Sequence, residues 1–166
     1  MTDDAPVPGL RRIGDLHGVY AADETAAAHA VVERLFADGR LYPTRHCFDD
    51  AVAYIEMIAR EDAARAIQFV LVHGVFRLTA RNAATPAEIG ARVAHAWVEE
   101  GDLVWDNAVT ADGHRVTFAV DRAEYYREMA VERDTCAHYT MPEMLGQHRR
   151  HRTTGPWRAD LRALTR

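Results

Sequence analysis

The sequence predicts an α+β protein, and three observations carry that prediction. Helical apolar stripes occupy the first third, a run of strand formers follows from residue 67, and Gly-centred turns then separate short alternating segments. Helices precede an antiparallel sheet and helical pieces follow it, an order unlike the regular alternation of a parallel α/β sheet. At 166 residues the chain suits a single domain over residues 1–166, long enough to bury about two thirds of its unfolded surface.

Residues 1–22 contain Pro6, Pro8, Gly9, Gly14 and Gly18 and read as an irregular lead-in. Ala27, Ala30, Val31 and Leu35 then form a helical stripe from Asp23 to about Asp38, with Asp23 or Thr25 as cap and Gly39 as stop. After a loop containing Pro43, Thr44 is placed to cap a helix from Cys47 to about Arg65. Its apolar face is Cys47, Ala51, Tyr54, Ile55 and Ile58. Residues 67–78 read as one long or bent strand, followed by a polar connection from Thr79 to Gly90.

A turn at Glu100-Gly101-Asp102 joins a strand beginning near Arg92 to another ending near Ala108. Asp112-Gly113 is a second turn, leading to a strand from His114 to Val120. Asp121 caps a helix expected to reach about Arg133. Residues 134–166 read as an irregular or helical tail. Within it, Thr140-Met141-Pro142-Glu143 is a helix start with proline in the first turn, and Gly155-Pro156-Trp157 is a turn before a final short helix.

Composition narrows the function classes. The 48% apolar and 27% charged fractions are those of an ordinary soluble globular protein. A net charge of −5 argues against nucleic acid, and Arg149-Arg150-His151-Arg152 is too short a basic run to reverse that. No stretch approaches a membrane span, and the acidic start is no signal peptide, which implies a cytoplasmic protein or one exported without a cleaved signal. Two cysteines make no disulfide framework and suit a reducing compartment. All 20 basic residues are arginine. GC-rich codon usage and selection against lysine both account for that. The histidines lack the paired spacing of a structural zinc site, so neither metal nor other cofactor is expected.

The chemistry concentrates in Cys47, His95 and Asp106. A thiol in the first turn of a helix feels the positive end of the macrodipole, which favours the nucleophilic thiolate. The competing reading is a small buried apolar residue. On a strand, Val93, His95 and Trp97 share one face, and Val104 shares a face with Asp106. With Gly101 in the turn, His95 and Asp106 come roughly opposite each other, so the carboxylate can orient the imidazole and stabilise its charged form. A cysteine brought against that face completes a nucleophile–base–orienter triad. Tyr42, Thr44, His46 and Trp97 are candidate oxyanion or cleft residues. Asp49-Asp50 and Glu99-Glu100 read as solvated, Tyr125-Tyr126 as packing, and His73 as structural.

The stretches Cys47-Phe48-Asp49-Asp50-Ala51, His95-Ala96-Trp97-Val98-Glu99 and Val104-Trp105-Asp106 resemble the transglutaminase-like branch of the papain-like cysteine protease/transglutaminase superfamily. The resemblance covers residues 45–127, roughly half the chain. It implies a papain-like core, with a nucleophile helix packed on a small antiparallel sheet. It further implies Cys47 as nucleophile, His95 as general acid and base, and Asp106 as orienting residue. Phe48 stands where tryptophan is more usual, and no glutamine lies just upstream of the cysteine as an oxyanion donor. The implied activity is acyl transfer on amide bonds of a protein or peptide through a thioester, as deamidation or peptide hydrolysis ahead of crosslinking. A leader-peptide protease and an inactive binding or scaffold module are the alternatives, and the oligomeric state stays open.

Overall fold

The computed structural model describes residues 10–12, 20–22, 41–80, 82–110 and 115–165. The described strands are β1 (Leu10–Arg12), β2 (Tyr20–Ala22), β3 (Leu41–Pro43), β4 (Phe69–Arg77), β5 (Arg92–Glu100), β6 (Leu103–Thr110), β7 (Arg115–Asp121) and β8 (Val131–Thr140). The described helices are α1 (Cys47–Glu61), α2 (Ala63–Ala66), α3 (Arg122–Glu128), α4 (Met141–His151) and α5 (Ala159–Arg162). The strands form one open sheet in the order β1-β2-β7-β6-β5-β4-β8, with β3 added on β6. Its pairings are antiparallel except for a parallel contact between β2 and β7. The α+β class is therefore observed. None of the described helices is long and apolar enough to cross a membrane.

Alternation along the central strands builds two cores, one on each face. On one face Phe69, Leu71, Ala96, Val98 and Trp105 meet Ala51, Val52, Tyr54, Ile55 and Ile58 of α1. Tyr54 stacks on both Phe69 and Trp105, with centroids 5.9 and 5.4 Å apart. On the other face Val72, Phe76, Trp97, Val104 and Phe118 meet Tyr125, Tyr126 and Met129.

Several local expectations are met for identifiable reasons. Gly101 has φ +59°, the left-handed conformation that closes the β5–β6 turn without a Cβ clash. The Asp121 side chain accepts from the Glu124 N–H at 3.0 Å and starts α3. Glu143 accepts from both the N–H and the hydroxyl of Thr140 at the start of α4. The predicted helix from Cys47 breaks at Asp62, whose side chain caps α2 through the Arg65 N–H. The N-cap of α1 is His46 rather than Thr44, because the Thr44 hydroxyl donates to the Asp50 side chain instead.

Other expectations need correction. The lead-in holds β1 and β2, which pair with each other and, through β2, with β7. The helix predicted to reach Arg133 stops at Glu128, and Ala130, at φ +46°, turns the chain into β8. Residues 131–140 escape a sequence reading because, among the described strands, β8 pairs only with β4 and is largely half-exposed or exposed, so its side chains do not alternate. The helix predicted at 23–38 and the Asp112-Gly113 turn lie outside the described residues.

One feature of the sheet positions everything that follows. The β5–β6 ladder has only three pairs, Glu100↔Leu103, Glu99↔Val104 and Val98↔Trp105. Beyond them β5 stays on β4, while β6 stays on β7 and takes β3 as its new neighbour from Ala108 onward. The sheet forks there, with Ala94 to Trp97 on one prong and Asp106 to Val109 on the other.

Gly74 in β4 lets Trp97 lie flat against the sheet on the second face. A Cβ there would sit 2.7 Å from Trp97 Cη2 and 3.0 Å from Cys136 Sγ, and Trp97 is fully buried with no room to retreat. Gly74→Ala is expected to cost about 1–3 kcal/mol through overpacking, read as a lower urea midpoint at unchanged m-value.

Candidate active site at the sheet fork

His95 and Asp106 meet across the fork. Continuing the ladder register would set Asp106 opposite Trp97, so His95 is its next neighbour on the same face. His95 Nε2 lies 2.9 and 3.0 Å from the two oxygens of Asp106. The pair is 0% and 2% exposed. A buried carboxylate needs more than one partner, and Asp106 has them. The Tyr125 hydroxyl donates to Oδ2 at 2.7 Å, and the Asn107 N–H donates to Oδ1 at 2.7 Å. Phe76 meets the imidazole edge-on at 4.9 Å between centroids.

Burial, the largest single influence on His95, pushes its pKa down. The charge of Asp106, the charge of Cys47 and the hydrogen bond to Asp106 act together and hold it well above the ordinary histidine range. The surroundings of His95 thus favour its protonated form relative to a free imidazole. Burial, then the charge and hydrogen bond of Asp106, hold the Tyr125 hydroxyl well above its usual value, so Tyr125 stays a donor.

Cys47 reaches this ring from an unexpected side. The apolar stripe of α1 lies on the face opposite His95, not against the histidine face as the sequence suggests. The two faces communicate where the β5–β6 ladder ends. β3 pairs Pro43 with Ala108, two residues from Asp106, and a short turn from Pro43 delivers Cys47 beside the fork. Apart from Asp106, Cys47 is the residue whose charge acts on His95. Nδ1 of His95 is buried and has no hydrogen-bond partner among the described residues. The thiol is 4% exposed and lines a cavity of about 230 Å³ with Tyr42, Thr44, Asn82 and Val93.

The four oxyanion candidates separate. Tyr42 and Thr44 line the Cys47 cavity. His46 is exposed and lines a neighbouring cavity with Asp49 and Arg152. Trp97 is buried in the opposite core, where its indole N–H donates to Glu99 at 3.1 Å.

Four further residues have roles that the sequence does not assign them. Tyr125 is a partner of Asp106 as well as core packing. A buried tyrosine hydroxyl needs an acceptor, but no sequence spacing identifies which. Asn82 is 2% exposed in the β4–β5 connection, held by Thr79 and Met129, and it lines the Cys47 cavity. Glu99, expected to be solvated, is buried and accepts from Trp97, Tyr126 and Arg122. Glu100 likewise holds Arg65 by two bonds of 2.8 and 2.9 Å and the Trp105 indole. Among the described residues no three His, Cys, Asp or Glu side chains are grouped to hold a metal ion.

His73 stands apart from this group. It is fully buried among Phe48, Tyr139 and Trp157, and neither ring nitrogen has a hydrogen bond. Burial drives its pKa down to about 3. No protein-family model matches this sequence, and comparison with curated proteins and solved structures yields no match either.

Two pH effects follow. Asp106→Asn leaves burial opposed by Cys47 alone, so the His95 titration midpoint is expected to fall, read from imidazole ¹⁵N shifts. For His73 the folded pKa lies below the unfolded one. The unfolded chain therefore takes up the proton first, and stability is lost as pH falls. The loss is about 1.4 kcal/mol per pH unit below roughly 6.5, down to the folded value of about 3. His73→Phe should remove one proton from that slope in urea denaturation between pH 6 and 4.

Proposed function

We propose that the protein is a cysteine-dependent acyl-transfer enzyme acting on amide bonds of a protein or peptide, built on a transglutaminase-like variant of the papain-like core. The observation that carries this reading is the convergence of Cys47, His95 and Asp106 at the fork, with the carboxylate on Nε2 and the thiol left to the other side of the ring. Nδ1 has no hydrogen-bond partner among the described residues, which leaves it free for proton exchange with the thiol.

The chemistry follows from that arrangement. The Cys47 sulfur attacks the amide carbon, and the carbonyl π pair moves to oxygen. Donors for that oxyanion come from the helix start, where the first backbone N–H groups of α1 lack intrahelical partners, with Tyr42, Thr44 or Asn82 at the cavity wall. The tetrahedral centre collapses, the C–N bond breaks, and His95 gives its proton to the departing amine. What remains is a thioester on Cys47. Water then attacks the thioester carbon while His95 takes one of its protons, the C–S bond breaks to restore the Cys47 thiolate beside protonated His95, and the carboxylic acid product leaves and gives its remaining proton to solvent. Asp106, fixed by Tyr125 and the Asn107 N–H, holds the ring in one orientation through both halves. A glutamine side chain and a backbone peptide bond fit this cycle equally. The chain's partner is then a protein or peptide substrate, and the cycle needs no cofactor.

The burial of Cys47 favours a second reading, a binding module that keeps the fold without the chemistry. One experiment separates the two. Glutamine-rich test proteins incubated with wild type should gain about one mass unit by deamidation or acquire a new terminus, and Cys47→Ala should abolish either change. His95→Gln should slow it by at least about 10²-fold. In the folded protein iodoacetamide should label Cys47 faster than Cys136, whose thiol burial pushes up. Equal, slow labelling together with no product from wild type establishes the binding module.

A further inference from the structure

The Cys47 cavity does not end at Cys47. It shares the walls Arg45, Phe48 and Thr165 with a second cavity of about 480 Å³, a volume within the usual range for small-ligand sites. The second cavity is ringed by Arg45 and His46 from the loop before α1, and by His148 and Arg152 from the end of α4. Asp49 is its one carboxylate among the described residues, and that carboxylate already accepts from Thr154 and faces His46 at 3.9 Å.

This charge is out of keeping with the rest of the chain, whose net charge is −5. The helix macrodipole accounts for part of it, because His148, Arg149, Arg150 and His151 crowd the last turn of α4, where cations are favoured. It does not account for Arg45, which belongs to a different element and borders the same space. Arg45 and Arg152 are exposed and have no ion-pair partner among the described residues. Arg65 and Arg92, by contrast, are paired with Glu100 and Glu132, while Arg149 and Arg150 beside the cavity are unpaired among the described residues as well. His148 Nδ1 is shielded from solvent and also lacks a hydrogen bond.

We infer that this second cavity is a subsite for an acidic side chain of the substrate, so that the target amide is selected by an aspartate or glutamate close to it in the peptide. The two arginines offer forked donors that fit a carboxylate. The shared wall at Arg45 and Phe48 sets the carboxylate beside the segment that enters the Cys47 cavity. Naming the ligand a substrate rests on the acyl-transfer reading. The presence of an anion site does not.

The test uses the full chain carrying Cys47→Ala, so that nothing turns over. Two fluorescein-labelled, acetylated and amidated glutamine peptides are compared by anisotropy, one with Asp and Glu beside the glutamine and one with Asn and Gln in their place. The acidic peptide should bind at least about tenfold more tightly, and the advantage should shrink with added salt. Arg45→Gln with Arg152→Gln should erase it while leaving the thermal midpoint unchanged, since neither arginine holds a partner. Equal binding of the two peptides overturns the inference, and so does an acidic preference that survives the double substitution. Absence of product from wild type defeats the acyl-transfer reading alone and leaves this binding result standing.

Discussion

An imidazole and a carboxylate, buried together where the sheet divides, set the terms for much of this structure. Removing such a pair from water costs several kcal/mol per ion before any attraction is counted. Each group must therefore be held by geometry that brings its partner close and satisfies what remains. Asp106 receives Nε2, the Tyr125 hydroxyl and the Asn107 N–H. His95 receives the carboxylate on one nitrogen and the influence of Cys47 on the ring. Tyr125 is brought by α3, Asp106 by β6, His95 by β5 and Cys47 by α1, so four elements are tied to one charge pair.

The fork makes that convergence possible. Had the β5–β6 ladder run its full length, the sheet would have separated the α1 face from the His95 face completely. Ending it after Val98 and Trp105 frees the edges of both strands. The exposed edge of β6 is then used by β3, and β3 in turn anchors the turn that carries Cys47. A cost in lost ladder hydrogen bonds is offset by β3 on one prong, while the other prong keeps β4 throughout. The same device puts the cysteine between a cavity on one side and the imidazole on the other.

The buried acid Glu99 illustrates why residue type alone misleads. In Glu99-Glu100 both side chains look like turn residues at the end of a strand. Glu99 lies on the Trp97 face and is drawn inward by the indole N–H, the Tyr126 hydroxyl and Arg122. Glu100 lies on the other face and collects Arg65 and Trp105, where the guanidinium also stacks 5.5 Å from the Trp105 ring. Strand parity sorts the two. Beyond the indoles of the same hairpin, the partners that hold them come from helices more distant in sequence, Arg122 and Tyr126 for Glu99 and Arg65 for Glu100.

The sequence by itself determined the α+β class, the central hairpins, the caps at Asp121 and Thr140, and the adjacency of His95 and Asp106. Each of these depends on short-range rules: strand alternation, a glycine in a left-handed turn, and a side chain bonding an N–H three residues on. Tertiary structure alone decided the rest. β8 carries no apolar alternation because it pairs on one side only and stays half-exposed, so its membership in the sheet is visible only through its ladder with β4. Tyr125 and Asn82 came to the site because helix and loop packing, not spacing, carried them there. The side from which Cys47 approaches depends on where a ladder stops, and a ladder stops according to which third strand claims the edge. Such competition between distant segments leaves no local mark in the chain.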